Sequence, residues 1–243
     1  MSTNQEAASE PRASTGALRE QLALACRMLA NEGLFDQSGH ISARHPERPD
    51  WLLIHPHTLA RYEVTPESLL TVDLDGHVIE GDDRPPSEVF IHTQLYRARP
   101  DVMSVSHIHA RMVVVFTIAG RPLFPITNYA AFLGPGAVPV YPNPRHVRTA
   151  GSGDALAAAL GTGSACLMRA HGAVVVGADV RQAFAGSIYL EENAARAHLA
   201  LQIGDPAGYT DEELRDVAAG NWGRGLDKTW QYYATRARRA GLG

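Results

Sequence analysis

The feature that most constrains the fold is the order in which two hydrophobic periods alternate along the chain. Short apolar runs of strand type stand at HISARH, WLLIHP, LLTVDL, VMSVSHIH, AVPVYP and ACLMRAHGAVVVGAD, most of them bounded by turn-forming residues. Between them lie stretches with helical spacing. Leu18, Leu22, Cys26 and Leu29 follow Ser14, a candidate helix cap. Residues 87–97 form a second helical stretch, stopped by Pro100. ARMVVVFTIAG, DALAAALG and a long run over about 180–203 complete the set. Asp75-Gly76 marks a tight hairpin turn. This order predicts a mixed sheet with helices on its faces. Residues 1–14 are small and polar with no periodic apolar face, and read as a disordered tail. One domain then covers 15–243, its end from about 205 being polar and aromatic, with Trp222, Trp230, Tyr232 and Tyr233. That end could cover a pocket or pack at an interface.

Bulk properties narrow the function class. A formal net charge of −4 argues against nucleic acid or anionic membrane as the main partner. No apolar run approaches bilayer length, and MSTNQEAASEPRASTGA has neither a basic start nor an apolar core, so the expected setting is the cytoplasm. Cys26 and Cys166 sit in apolar stretches and read as reduced core residues. Phosphate-binding glycine loops of the dinucleotide or Walker type are absent from the sequence.

The chemistry-bearing residues are histidines. In His107-Ile108-His109, strand geometry sends residues i and i+2 to one side, so both imidazoles can reach one ion. His171 precedes Gly172 where one predicted strand turns into the next, and the glycine permits close backbone approach. Three neutral imidazoles suit zinc, manganese, iron or cobalt and leave positions open for substrate. On spacing alone, an HxH pair is equally a polar strand end. Glu88, at a predicted helix start, is either an ordinary first-turn carboxylate or, beside the histidines, an acid/base.

Several motifs in order carry a resemblance: Gly39-His40-Ile41-Ser42-Ala43-Arg44, Pro86-Ser87-Glu88, His107-Ile108-His109-Ala110, Asn128-Tyr129 and His171-Gly172. Over about 16–203 the chain resembles the class II aldolase/adducin family. The resemblance implies a single three-layer α/β/α domain with a mixed, mainly antiparallel central sheet. It also implies a divalent transition metal held by His107, His109 and His171, with Glu88 as catalytic acid/base. Tyr129 matches the family's proton-donor tyrosine, contributed across a subunit interface, and a homotetramer with interfacial active sites is implied.

Three parts of the phosphate cradle of the family's sugar-phosphate aldolases are changed. His40 stands in place of an Asn. Leu53-Ile54-His55-Pro56-His57-Thr58 has no glycine where a Thr-Gly pair is expected, and Pro86, which has no N–H, replaces one of two serines. His40, Ser42, Arg44, His55, His57 and Ser87 are therefore expected to bind a small carboxylate substrate instead, through charge-assisted hydrogen bonds that weaken as the pH rises. Each histidine taken singly is as well read as a solvated loop residue. Members with a GHISAR-like signature are similar to decarboxylases of hydroxylated aromatic acids. The expected activity is a metal-dependent carbon–carbon lyase reaction, decarboxylation first. The alternatives are an aldolase or epimerase on a small non-phosphorylated hydroxy-carbonyl compound, and an adducin-like module without catalysis.

Overall fold

The computed structural model describes residues 14–221 and 225–243, so the tail expected over 1–14, save Ser14, and Trp222 lie outside the described residues. Ser14 caps α1 (Thr15–Asn31) by accepting the Ala17 N–H at 3.3 Å. The strands are β1 (His40–Arg44), β2 (Trp51–Ile54), β3 (Leu70–Asp73), β4 (Val78–Glu80), β5 (Ser104–Ile108), β6 (Val140–Tyr141), β7 (Ala165–Met168) and β8 (Gly172–Gly177). The remaining helices are α2 (Val89–Ala98), α3 (Arg111–Ile118), α4 (Ala150–Leu160), α5 (Val180–Leu201), α6 (Asp211–Asn221) and α7 (Gly225–Arg239). The strands form one sheet in the order β4-β3-β2-β1-β5-β8-β7-β6. Every pairing is antiparallel except β6 with β7. This is the expected mixed, mainly antiparallel sheet.

Strand alternation feeds two cores. Ile41, Ala43, Leu53, Ile108, Leu167, Ala173 and Val175 face one side, with α1, α3, α5 and α7. Leu52, Ile54, Val105, Cys166, Met168, Val174 and Val176 face the other, with α2 and α4. The fold is therefore a three-layer α/β/α domain. Both cysteines are buried free thiols. Among the described residues, no helix is long and apolar enough to cross a membrane.

The C-terminal segment is helical where sequence period gave no helix. Trp230 of α7 meets Phe184 edge-on at 5.5 Å, Tyr233 meets the same ring at 5.5 Å, and Tyr189 and Thr229 hydroxyls lie 2.5 Å apart. Trp230 and, partly, Tyr233 pack into the α1/α5 core, whereas Tyr232 is exposed.

Candidate metal centre and active site

The sheet register builds the centre. β1 pairs with β5 so that His40 lies opposite His107, and β5 pairs with β8 so that His107 lies opposite Val174. His109 follows the end of β5, and His171 sits in the β7–β8 turn. In that turn Ala170 takes a left-handed φ of 56°, and a side chain on Gly172 would lie 2.2 Å from the Ile108 carbonyl oxygen. Only glycine lets the His171 turn close on the end of β5.

Ligating nitrogens of His107, His109 and His171 lie within 4.8 Å of one another. Two of the rings are oriented from behind. His107 Nδ1 is 3.1 Å from the Ala173 carbonyl oxygen, which can only accept, and His109 Nδ1 is 2.9 Å from an Asp36 carboxylate oxygen. Both rings thus keep their protons on Nδ1 and leave Nε2 as a lone pair, the usual arrangement behind a metal ligand. The two Nε2 atoms are 3.1 Å apart, so two lone pairs face each other at a distance that asks for a cation between them. Among the described residues, neither buried ring nitrogen of His171 meets hydrogen-bond geometry, and its Nε2 faces the Glu88 carboxylate at 3.5 Å. The donor set fits a borderline divalent ion that holds three imidazoles and keeps open positions.

Glu88 closes the other side. It stands just before α2 but does not cap it. Its carboxylate accepts the Val147 N–H at 2.7 Å and lies 3.5 Å from His171 Nε2, 3.9 Å from His107 Nε2 and 3.2 Å from His146 Nδ1. Burial would raise its carboxyl pKa, but His171, His107 and the Val147 amide outweigh burial and hold it well below the usual range. Glu88 is thus a buried anion aimed at the histidines, not a first-turn surface carboxylate.

Glu88 lines a cavity of about 270 Å³, whose wall also includes His40, His57, Arg61, Ser87, His146 and Arg148. His171 and His107 adjoin it at Glu88, 3.5 Å and 3.9 Å from that carboxylate. His146 and Arg148 come from the loop between β6 and α4, which no sequence motif singled out. Only its richness in basic residues, in PRHVR, could have drawn notice. A second cavity of about 350 Å³, walled mainly by apolar residues such as Phe116, Phe124, Ile126, Leu201 and Leu214, with Arg121 and Asp205 also in its wall, shares no lining residue with the first.

The expected substrate-binding residues divide. His40, His57 and Ser87 reach the cavity. Ser42 and Arg44 share the His40 face of β1 but do not line the cavity, because α2 covers them. Ser42 is bonded to His92 and Tyr96, and the Arg44 guanidinium donates to the carbonyls of Pro49, Tyr96, Arg99 and Val102. His55 is buried behind His40, with ring centroids 6.3 Å apart. Burial lowers His55 to about 3, and burial together with neighbouring histidines puts His40 well below 6.5. Neither is an imidazolium near neutrality, so the expected pH-weakened charge assistance does not arise from these two. Tyr129 lies outside the cavity, half exposed and stacked on Tyr189 at 5.0 Å.

Residues 20–198 match the family model for the class II aldolase and adducin N-terminal domain. The chain belongs to the class II aldolase and adducin family. Within it, the chain is 35% identical over 205 residues to a 3,4-dihydroxyphthalate decarboxylase of Arthrobacter keyseri, covering 78% of this chain and 80% of that one. Among solved structures, it is similar to an aldolase II superfamily protein from Pseudomonas syringae, with 25% identity, TM-score 0.80 and 96% of each chain covered. It is also similar to an L-fuculose 1-phosphate aldolase from Glaciozyma antarctica PI12, with 26% identity, TM-score 0.79, and 93% of this chain and 91% of that one covered. The decarboxylase and the aldolase among these relatives are lyases, and so is this chain.

Proposed function

We propose that the chain is a divalent-metal-dependent decarboxylase of an ortho-hydroxylated aromatic acid. The observation that carries the reading is the cluster of three imidazoles, two with oriented lone pairs, of which His171 and His107 also face the ionised Glu88 in the wall of a cavity that holds Arg61 and Arg148. His107, His109 and His171 would hold the ion, and the ion would supply Lewis acidity toward a neighbouring hydroxyl and carboxylate. Arg148, Arg61 and His57, with the Ser87 hydroxyl, provide donors for the carboxylate of an anionic substrate. Glu88, as a base, takes the proton of the ring hydroxyl. It returns that proton to the ring carbon that bears the carboxylate, and the bond to carbon dioxide then breaks with its electron pair passing into the ring. Similarity to the dihydroxyphthalate decarboxylase supports an aromatic carboxylate over a sugar phosphate. Tyr129 stacks on Tyr189 and is half exposed, which suits a phenol offered to the cavity of a neighbouring copy in a homotetramer.

The test combines metal analysis with a substrate panel. The purified protein should hold about one divalent ion per chain, and alanine at His107, His109 or His171 should remove most of it. With metal present, at least one ortho-hydroxy aromatic acid should release carbon dioxide. Efficient cleavage of L-fuculose 1-phosphate with no reaction of any acid would replace the decarboxylase reading by an aldolase one. Full metal occupancy in two of the alanine variants would dismiss the centre.

A further inference from the structure

Behind His40, on the side away from the cavity, lies a buried chain of polar groups that the chemistry above does not use. β1 turns His40, Ser42 and Arg44 to one face, and α2 meets them with His92 and Tyr96, four residues apart on one side of the helix. His40 Nδ1 is 2.6 Å from His92 Nε2, His92 Nδ1 is 2.6 Å from Ser42 Oγ, and Ser42 Oγ is 2.8 Å from the Tyr96 hydroxyl. All four residues are at most 1% exposed. The Arg44 guanidinium closes the far end, 4.6 Å above the Tyr96 ring.

Each link of such a chain carries one proton, so fixing one direction fixes them all. Tyr96 ends the run of side chains, and burial keeps its phenol protonated against the opposite pull of Ser42, Arg44 and a hydrogen bond with the Val105 backbone. Among the described residues, the hydrogen-bond acceptor within its reach is Ser42 Oγ. The phenol therefore donates to Ser42, the Ser42 hydroxyl donates to His92 Nδ1, and neutral His92 carries its proton on Nε2 and donates it to His40 Nδ1. His40 must then carry its own single proton on Nε2. The opposite direction would strand the phenol proton in the interior with nothing to accept it.

We propose that His92 is a positioning residue that, relayed through Ser42 and Tyr96, locks His40 as its Nε2–H tautomer and so presents a neutral N–H donor to the cavity. That donor stands beside Glu88 and His107, whose ligating atoms group with a nitrogen of His40 within 4.8 Å. A neutral donor there holds a substrate oxygen without adding charge beside the metal ligands and without competing as a base with Glu88. The use of the donor rests on the decarboxylase reading, whereas the tautomer stands without it.

The experiment compares wild type, His92→Leu, His92→Gln and Ser42→Ala as zinc-loaded protein labelled with ¹⁵N in its histidines. Long-range ¹H–¹⁵N spectra, with the His40 signals assigned from His40→Gln, report which nitrogen bears the proton. Wild type and His92→Gln, whose side-chain amide still donates to Nδ1, should show the proton on Nε2. His92→Leu and Ser42→Ala should show a mixed or Nδ1–H population. If His92→Leu fails to fold, Ser42→Ala decides the point with little change in volume. A wild-type proton on Nδ1, or an unchanged tautomer in the folded link-breaking variants, overturns the proposal. With an acid that wild type decarboxylates, His92→Leu should lose roughly tenfold or more in kcat at full zinc content and nearly constant KM, with His92→Gln recovering most of it. A full-rate His92→Leu enzyme would overturn the functional half. If no acid reacts, the decarboxylase reading fails, while the spectra still decide the tautomer.

Discussion

Acidification from pH 7.5 to 5.5 should destabilise this protein far more than its carboxylates alone would. Burial lowers His55 and His92 from an ordinary value of 6.5 to about 3 each, so both fold neutral and would take up a proton on unfolding. Because the folded pKa is the depressed one, the stability each contributes is fully present above 6.5 and is lost progressively as the pH falls toward the folded value. At pH 5.5, one unit below 6.5, each group forfeits about 1.4 kcal/mol, or about 3 kcal/mol for the pair. That is a large fraction of the roughly 5–15 kcal/mol that holds a typical domain together. Glu88, whose carboxyl is held low, shifts stability in the same direction but only below its ordinary value of 4.5, so the window from 7.5 to 5.5 belongs to the histidines. His40, likewise held low, adds to the loss. The assay is urea unfolding of the metal-free protein at the two pH values, with His92→Gln as the control that should lose about 1.4 kcal/mol less between them. A difference under about 1 kcal/mol in wild type, or no change of slope in His92→Gln, would refute the claim that these rings are buried neutral.

Glu88→Gln should keep its metal and its fold, since Oε1 can still accept the Val147 amide, while turnover falls by about 10²–10⁴. Near wild-type turnover would reduce Glu88 to a structural carboxylate. Mixing inactive His109→Ala with inactive Tyr129→Phe protein under subunit exchange should restore part of the activity, and no recovery despite proven exchange would place Tyr129 outside its neighbour's cavity. Gly172→Ala would push a methyl group to 2.2 Å from the Ile108 carbonyl oxygen and 3.3 Å from His109 Cδ2. It should cost about 1–3 kcal/mol in urea unfolding and weaken zinc binding in a competition titration, and wild-type values in both would contradict that close approach.

Much of the site could be read from the sequence because its residues obey short-range rules. His107 and His109 are two apart on one strand and its end, and the glycine after His171 announces a turn that must approach another backbone closely. The sheet and its long helices were legible for the same reason. Hydrophobic period alone separates the LLTVDL strand from the α5 helix, and Asp75-Gly76 marks the turn between β3 and β4.

Other assignments depend on which neighbour fills a face, and period cannot supply that. The alternation in HISAR shows that His40, Ser42 and Arg44 share a side, but not that α2 covers Ser42 and Arg44 while leaving His40 at the cavity. His146 and Arg148 belong to the site only because the β6–α4 loop folds back over Glu88, a contact spanning 59 positions at the Val147 amide. The protonation of the buried histidines is likewise a property of packing, since the same imidazole in water would titrate near 6.5. Local periodicity determined which residues could act together, and burial by distant segments decided which of them face substrate and in which charge state.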